Sequence, residues 1–189
     1  MRPTEILKRE HEVILLVLET AEREVDSVED TGKVDSDRIG KMLDFFRNFA
    51  DRCHHAKEEN LLFASMQERG MPRNSGPLAT MLVEHEEGRA RVQAAADALP
   101  RAAQGDPSAL AAVRENLSAY IELLRAHIGK EDGILYPMAD QLLSAQDQRL
   151  LEERFERVEA EEMGDGVHQK YHDLAHELAG GSPTPRGGP

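Results

Sequence analysis

The sequence contains no tryptophan, a single cysteine (Cys53), and only 4% aromatic residues in 189. One cysteine rules out an internal disulfide and fits a reducing compartment. With so few rings, the core has to come from Leu, Val, Ile, Ala and Met, and that composition favours helix over sheet. No apolar run reaches membrane-spanning length, and Met1-Arg2-Pro3-Thr4-Glu5 lacks the apolar core of a signal peptide, so a cytoplasmic protein is expected. Positive charge is also scarce: 23 Lys and Arg stand against 36 Asp and Glu, a net charge of −13. Such a surface repels phosphate backbones and anionic lipid, so neither nucleic acid nor membrane is expected as a partner. The sequence does not indicate an oligomeric state.

Long amphipathic segments are present, separated by clear punctuation. Breaks fall at Asp26 to Asp37, Gly70 to Pro77 and Pro100 to Pro107. Between them, apolar residues recur with helical spacing over about Thr4 to Val28, Ser36 to Glu68, Pro77 to Leu99 and Ser108 to Leu143. Four such helices with short connections predict an all-α, antiparallel four-helix bundle over residues 1–143. A charged fifth segment starts near Gln146, and a Gly164-Asp165-Gly166 break leads to a last helix striped by Val167, Tyr171, Leu174 and Leu178. Residues 144–179 are expected to form a helical extension packed on the bundle, with a disordered tail over 180–189.

The chain also contains a duplication. Residues 54–63 (HHAKEENLLF) align without gaps with residues 127–136 (HIGKEDGILY). Upstream of each lies a Glu-His-Glu triplet, Glu10-His11-Glu12 and Glu84-His85-Glu86, at matching distances of 43 and 42 residues from His to His. The chain therefore reads as two helical hairpins, each with a His on its first helix and His-x-x-x-Glu on its second. Both His54/Glu58 and His55/Glu59 have the i, i+4 spacing that puts two side chains on one face. The repeat selects His54/Glu58, and helical phase agrees: His54 lies roughly 75° from the centre of its apolar stripe, whereas His55 faces almost directly away. By the same reasoning Lys57, Lys130 and Glu59 should point outward.

Four inward histidines (His11, His54, His85, His127) and two inward carboxylates (Glu58, Glu131) suggest a metal. A buried carboxylate is costly unless a cation or donors meet it, and imidazole with carboxylate suits iron, manganese or zinc. The Glu-x-x-His spacing of ferritin-like bundles is absent.

This order of motifs resembles the hemerythrin-like (HHE cation-binding) family over residues 1–143. The resemblance implies two iron ions with a bridging oxo or hydroxo group and two bridging carboxylates. It also implies an open iron position that binds or senses O2, or reacts with peroxide or nitric oxide in a catalase-like or peroxidase-like way. Oxygen-carrying members have a second His one turn along the third helix, where this chain has Arg89. His168, flanking the stripe of the last helix, is the expected replacement ligand; His172 and His176 point further outward, and Tyr171 reads as packing. Glu12 and Glu86 are candidates for orienting neighbours, or plain surface charge. Three functions compete at this stage: a redox-active di-iron centre with peroxide or nitric oxide turnover favoured, an O2-binding or redox-sensing module, and a structural metal site.

Overall fold

The computed structural model describes residues 1–158 and 166–180 and contains no strand among them. Six helices form: α1 (Pro3–Thr31), α2 (36–68), α3 (Gly76–Ala102), α4 (107–142), α5 (Ala145–Val158) and α6 (Val167–Leu178). The first four make the bundle. Local chemistry sets their ends. Pro3 opens α1, where its missing N–H costs nothing, and Glu5 accepts from the Arg2 N–H at 2.9 Å. Asp35 caps α2 through the Arg38 N–H, and Asp106 caps α4 through the Ser108 and Ala109 N–H groups. Gly32 closes α1 with φ 65°, a conformation that suits glycine, and donates to the Val28 carbonyl.

Two boundaries differ from expectation. α1 runs on to Thr31 because Val28 continues the buried stripe of Val25. α3 includes Pro100, since a proline near a helix end removes a single hydrogen bond while Ala98 and Ala102 still face the core. The Gly164-Asp165 part of the expected break and residues 181–189 of the tail lie outside the described residues.

Neither α2 nor α4 is uniformly α-helical. α2 widens into π-helical turns over Phe46–His55 and Glu58–Leu62, and α4 does so over Glu131–Leu135. The wide turns repeat with the sequence: the Phe63 N–H donates to the Glu58 carbonyl and the Tyr136 N–H to the Glu131 carbonyl, five residues apart in each case. The residue after Tyr136 is Pro137 but the residue after Phe63 is Ala64, so proline is not the cause. Single π turns inside α-helices concentrate at functional sites.

The apolar core is in two pieces. One joins Ile14 to Val28, Ile39 to Ala50, Val92 to Ala102 and Ala109 to Ile128; the other joins Leu7, Leu62, Phe63, Met66, Leu78, Met81, Leu135 and Tyr136. Near the junction of the two pieces each bundle helix carries its histidines and glutamates of the repeat. α5 closes the second piece with Leu151 and Phe155, and α6 adds Tyr171, Ala175 and Leu178 to the first. The Tyr171 hydroxyl also donates to Asp44, and Arg38 donates to the Leu178 carbonyl.

Phe155 is fully buried and its ring lies 5.8 Å from the Lys57 ammonium. Phe155→Ala should therefore lower unfolding free energy by about 3–5 kcal/mol, read from denaturant titration. A loss under about 1 kcal/mol would mean that α5 contributes nothing to the core.

Candidate metal centre

Seven donor residues meet in the layer between the two apolar clusters: His11 from α1, His54, His55 and Glu58 from α2, His85 from α3, and His127 and Glu131 from α4. None is more than 4% exposed. Their ligand atoms fall into two groups, each with all atoms within 4.8 Å of one another: His11, His54, Glu58 and Glu131 in one, and His55, Glu58, His85 and His127 in the other. Glu58 belongs to both. Glu131 reaches across as well, with Oε2 3.3 Å from His11 Nε2 and Oε1 3.1 Å from His127 Nε2.

All six bundle residues expected at the site are brought together. His168 joins neither group. Its Nε2 lies 3.4 Å from Glu10 Oε1 and its ring leans on Phe49, so it is one residue removed from the donors. The additional imidazole comes instead from His55, which sequence phase had turned outward. It is buried and stacks on His85 with centroids 3.9 Å apart. The cause is the π-helical stretch Phe46–His55: wider turns make each side chain lag behind α-helical phase, and ten residues of lag bring both His54 and His55 inside.

Lys57 also differs from expectation, being fully buried rather than outward. Behind the donors stands a ring of carboxylates, each against an imidazole Nδ1: Asp132 on His11 (2.9 Å), Glu10 on His54 (2.9 Å), Glu59 on His85 (2.7 Å) and Glu84 on His127 (2.7 Å). Asp51 lies 3.5 Å from His55 Nδ1. Such carboxylates fix the tautomer and aim Nε2 inward. The ring follows the repeat. Glu10 also accepts from Lys57 and Glu84 from Lys130, whereas Asp132 and Glu59 each follow a central glutamate and serve the histidine of the opposite hairpin. Glu59 is thus a working partner of His85 and not a surface charge. Glu10 and Glu84, rather than Glu12 and Glu86, are the orienting members of the Glu-His-Glu triplets.

The two halves differ at two aligned positions. His55 corresponds to Ile128, and Tyr136 corresponds to Phe63. Phe63 lies parallel to His85 while Tyr136 lies parallel to His11. The Tyr136 hydroxyl donates to Glu58 Oε1 at 2.6 Å and sits 3.3 Å from His11 Nε2. One half thus offers three imidazoles, and the other two imidazoles and a phenol.

The donor set fits a pair of cations. His54 Nε2, both His55 ring nitrogens, Glu58 Oε2 and both Glu131 oxygens are buried with no hydrogen bond. Each such atom costs about 1–3 kcal/mol unless something meets it. Protonation of the chain alone points the same way. Burial and the neighbouring Glu131 charge push Glu58 well above the ordinary carboxylate range, so it keeps its proton, whereas the His127 and His11 charges overcome burial and hold Glu131 well below it. Burial opposes charge on His11, but the bond to Asp132 and the adjacent Glu131 carboxylate raise it to about 9; Glu131 and Glu84 likewise raise His127 against burial. Burial and adjacent imidazoles drop His54 to about 4 and His55 and His85 to about 3. His11 therefore carries charge at neutral pH, His127 and Glu58 are shifted toward their protonated forms, and three imidazoles are ready to ligate.

A cation must displace the proton that His11 holds and compete with those favoured on His127 and Glu58. Apparent affinity for Fe2+ should accordingly fall as pH drops from 8 to 6, with protons released on binding. Calorimetry in buffers of different ionisation enthalpy measures this directly. Uptake that is independent of pH and releases no proton would contradict the protonation pattern.

The family model of the hemerythrin HHE cation binding domain matches residues 2–139. Similar curated proteins include uncharacterized protein Rv1995 of Mycobacterium tuberculosis and uncharacterized protein Mb2018 of Mycobacterium bovis. Each is 23% identical over 174 residues, which cover 92% of this chain and 68% of the relative. No solved structure matches.

Proposed function

Because the chain belongs to the hemerythrin HHE cation-binding domain family, we propose that its buried cluster holds two iron ions and reacts with peroxide or nitric oxide at the two-imidazole half. The observation that carries this reading is the unequal division of donors around a shared Glu58 and Glu131. His55, His85 and His127 would hold one ion, and His11 and His54 the other, with the Tyr136 phenol beside them. Iron in such an imidazole and carboxylate shell supplies one-electron exchange and Lewis acidity toward a small oxygen or nitrogen ligand.

The chain's own residues supply the rest. The two apolar clusters exclude bulk water from the layer between them. Glu10 and Asp132 hold His54 and His11 in one orientation, so the two-imidazole half keeps its shape when a ligand enters. Tyr136 keeps its proton, because burial, the Glu131 charge and its hydrogen bond to Glu58 push the phenol well above its ordinary value. That O–H, held by Glu58 and 3.3 Å from His11 Nε2, is a proton source that the chain itself places at this half.

A second reading, a redox or O2 sensor without turnover, draws on one contact. Glu10 holds His54 and also meets His168 of α6, which ties the two-imidazole half to the C-terminal helix. Under that reading a change at His54 moves α6, and hydrogen exchange in 167–178 should differ between ferrous and ferric protein while peroxide persists undiminished.

Metal analysis of protein from iron-replete cells should give two irons per chain and the visible absorption of a coupled ferric pair. His55→Ala should retain one iron firmly and lose the other to a chelator about 10–100-fold faster. One metal per chain, or zinc alone after iron-rich expression, would sink the di-iron assignment. Tyr136→Phe, which makes this position like Phe63, should bind both irons yet slow peroxide consumption by about 10²-fold. Undiminished consumption would remove Tyr136 from the chemistry.

A further inference from the structure

The two hairpins superimpose by sequence, so each residue around one half of the site has a counterpart around the other. His55 corresponds to Ile128, Asp51 to Leu124 and, counting from His85 and His11, Arg89 to Leu15. All three counterparts are apolar: Leu124 and Ile128 belong to the larger core cluster and Leu15 packs against it. In the other half the same three places hold an imidazole and a guanidinium joined through an acid. Three separate positions are thus apolar in one half and polar in the other.

Arg89 is the centre of the group. Its Nε donates to Asp51 Oδ1 at 2.8 Å, its Nη2 to Glu59 Oε1 at 2.6 Å and its Nη1 to Glu86 Oε1 at 2.6 Å. Asp51 Oδ1 stands 3.5 Å from His55 Nδ1, and Glu59 Oε1 is bonded to His85 Nδ1. One rigid fork therefore fixes the carboxylates behind two stacked imidazoles of the same half-site. A guanidinium suits this task because its donors diverge at set angles, which an ammonium cannot imitate. Arg89 itself points away from the donors: its side chain is 30% exposed, and it joins neither cluster of ligand atoms.

We propose that Asp51, His55 and Arg89 form one unit that converts an apolar corner of the bundle into a third-imidazole site, with Arg89 as the positioning residue for His55 and His85. The metal part of this proposal rests on the di-iron reading; the ordering of the two rings does not. Arg89→Met keeps the stem and removes the fork, while Arg89→Lys keeps the charge alone. The triple variant D51L/H55I/R89L copies the apolar corner of the other half and so should keep the fold.

Two measurements test it. In metal-free protein labelled with 15N histidine, Arg89→Met should speed exchange of the His85 ring proton held by Glu59 at least about 10-fold, and Arg89→Lys should do so less. In iron-loaded protein, Arg89→Met should release one iron to a chelator about 10–100-fold faster than wild type while holding the other. The triple variant should show wild-type helicity and the same selective loss. Wild-type ring exchange or wild-type retention of both irons in Arg89→Met overturns the proposal, as does firm retention of both in the triple variant. Should the wild-type chain take up no iron while Arg89→Met still frees the His85 ring, the positioning role stands and the di-iron reading falls.

Discussion

Two carboxylates, Glu58 and Glu131, meet at the centre of the bundle with no protein cation placed between them. Everything around the site follows from that charge. Both are fully buried, and such a pair cannot ionise together without a counter-ion. The chain's own solution is partial: one proton stays on Glu58, Tyr136 donates to it, and His11 and His127 take up charge beside Glu131. Lys57 and Lys130, the nearest ammonium groups, are engaged one layer further out with Glu10 and Glu84. This alternation of charge, carboxylates within, imidazoles next, carboxylates behind them and lysines outermost, leaves the centre short of positive charge by design of its donors. Divalent or trivalent ions answer that shortage better than protons do.

Much of this was legible in the sequence. The four bundle helices, their order and the inward set His11, His54, Glu58, His85, His127 and Glu131 all follow from apolar spacing and the duplication. Phase arithmetic succeeded where the helices are regular and failed where they are not. α2 carries two π-helical stretches, so His55, Lys57 and Glu59, three residues that straight-helix phase sends outward, are turned toward partners. No propensity scale signals a π turn. Glu10 and Glu84 were hidden for another reason. Whether a glutamate beside a ligand faces solvent or a second helix is decided by packing across the hairpin, which spacing along one helix does not contain. His168 illustrates the converse: its stripe position allowed an inward role, but Glu10 and Phe49 already occupy the space it would need.

The duplication also explains why the centre is unequal. A bundle of two identical hairpins would give each ion the same two histidines and the same aromatic neighbour. Here a hydroxyl is added beside His11 and an imaginary symmetric partner of it, at Phe63, is absent; an imidazole is added beside His85, and its partner at Ile128 is apolar. The phenol and the extra imidazole fall in opposite halves, so each half carries one polar group that the other lacks.

The C-terminal helices extend this inequality outward. In the first hairpin the Glu10 and Lys57 pair is closed off from solvent: Phe155 of α5 lies over the lysine and His168 of α6 meets the glutamate. In the second hairpin the matching Lys130 side chain is 38% exposed and Glu84 is 15% exposed. Equal sequences therefore sit in unequal dielectric surroundings. A buried ion pair interacts more strongly and is screened less by salt than an exposed one. The helix pair that follows the bundle thus covers the carboxylate behind His54, in the half with two imidazoles, and leaves the one behind His127 partly open to solvent.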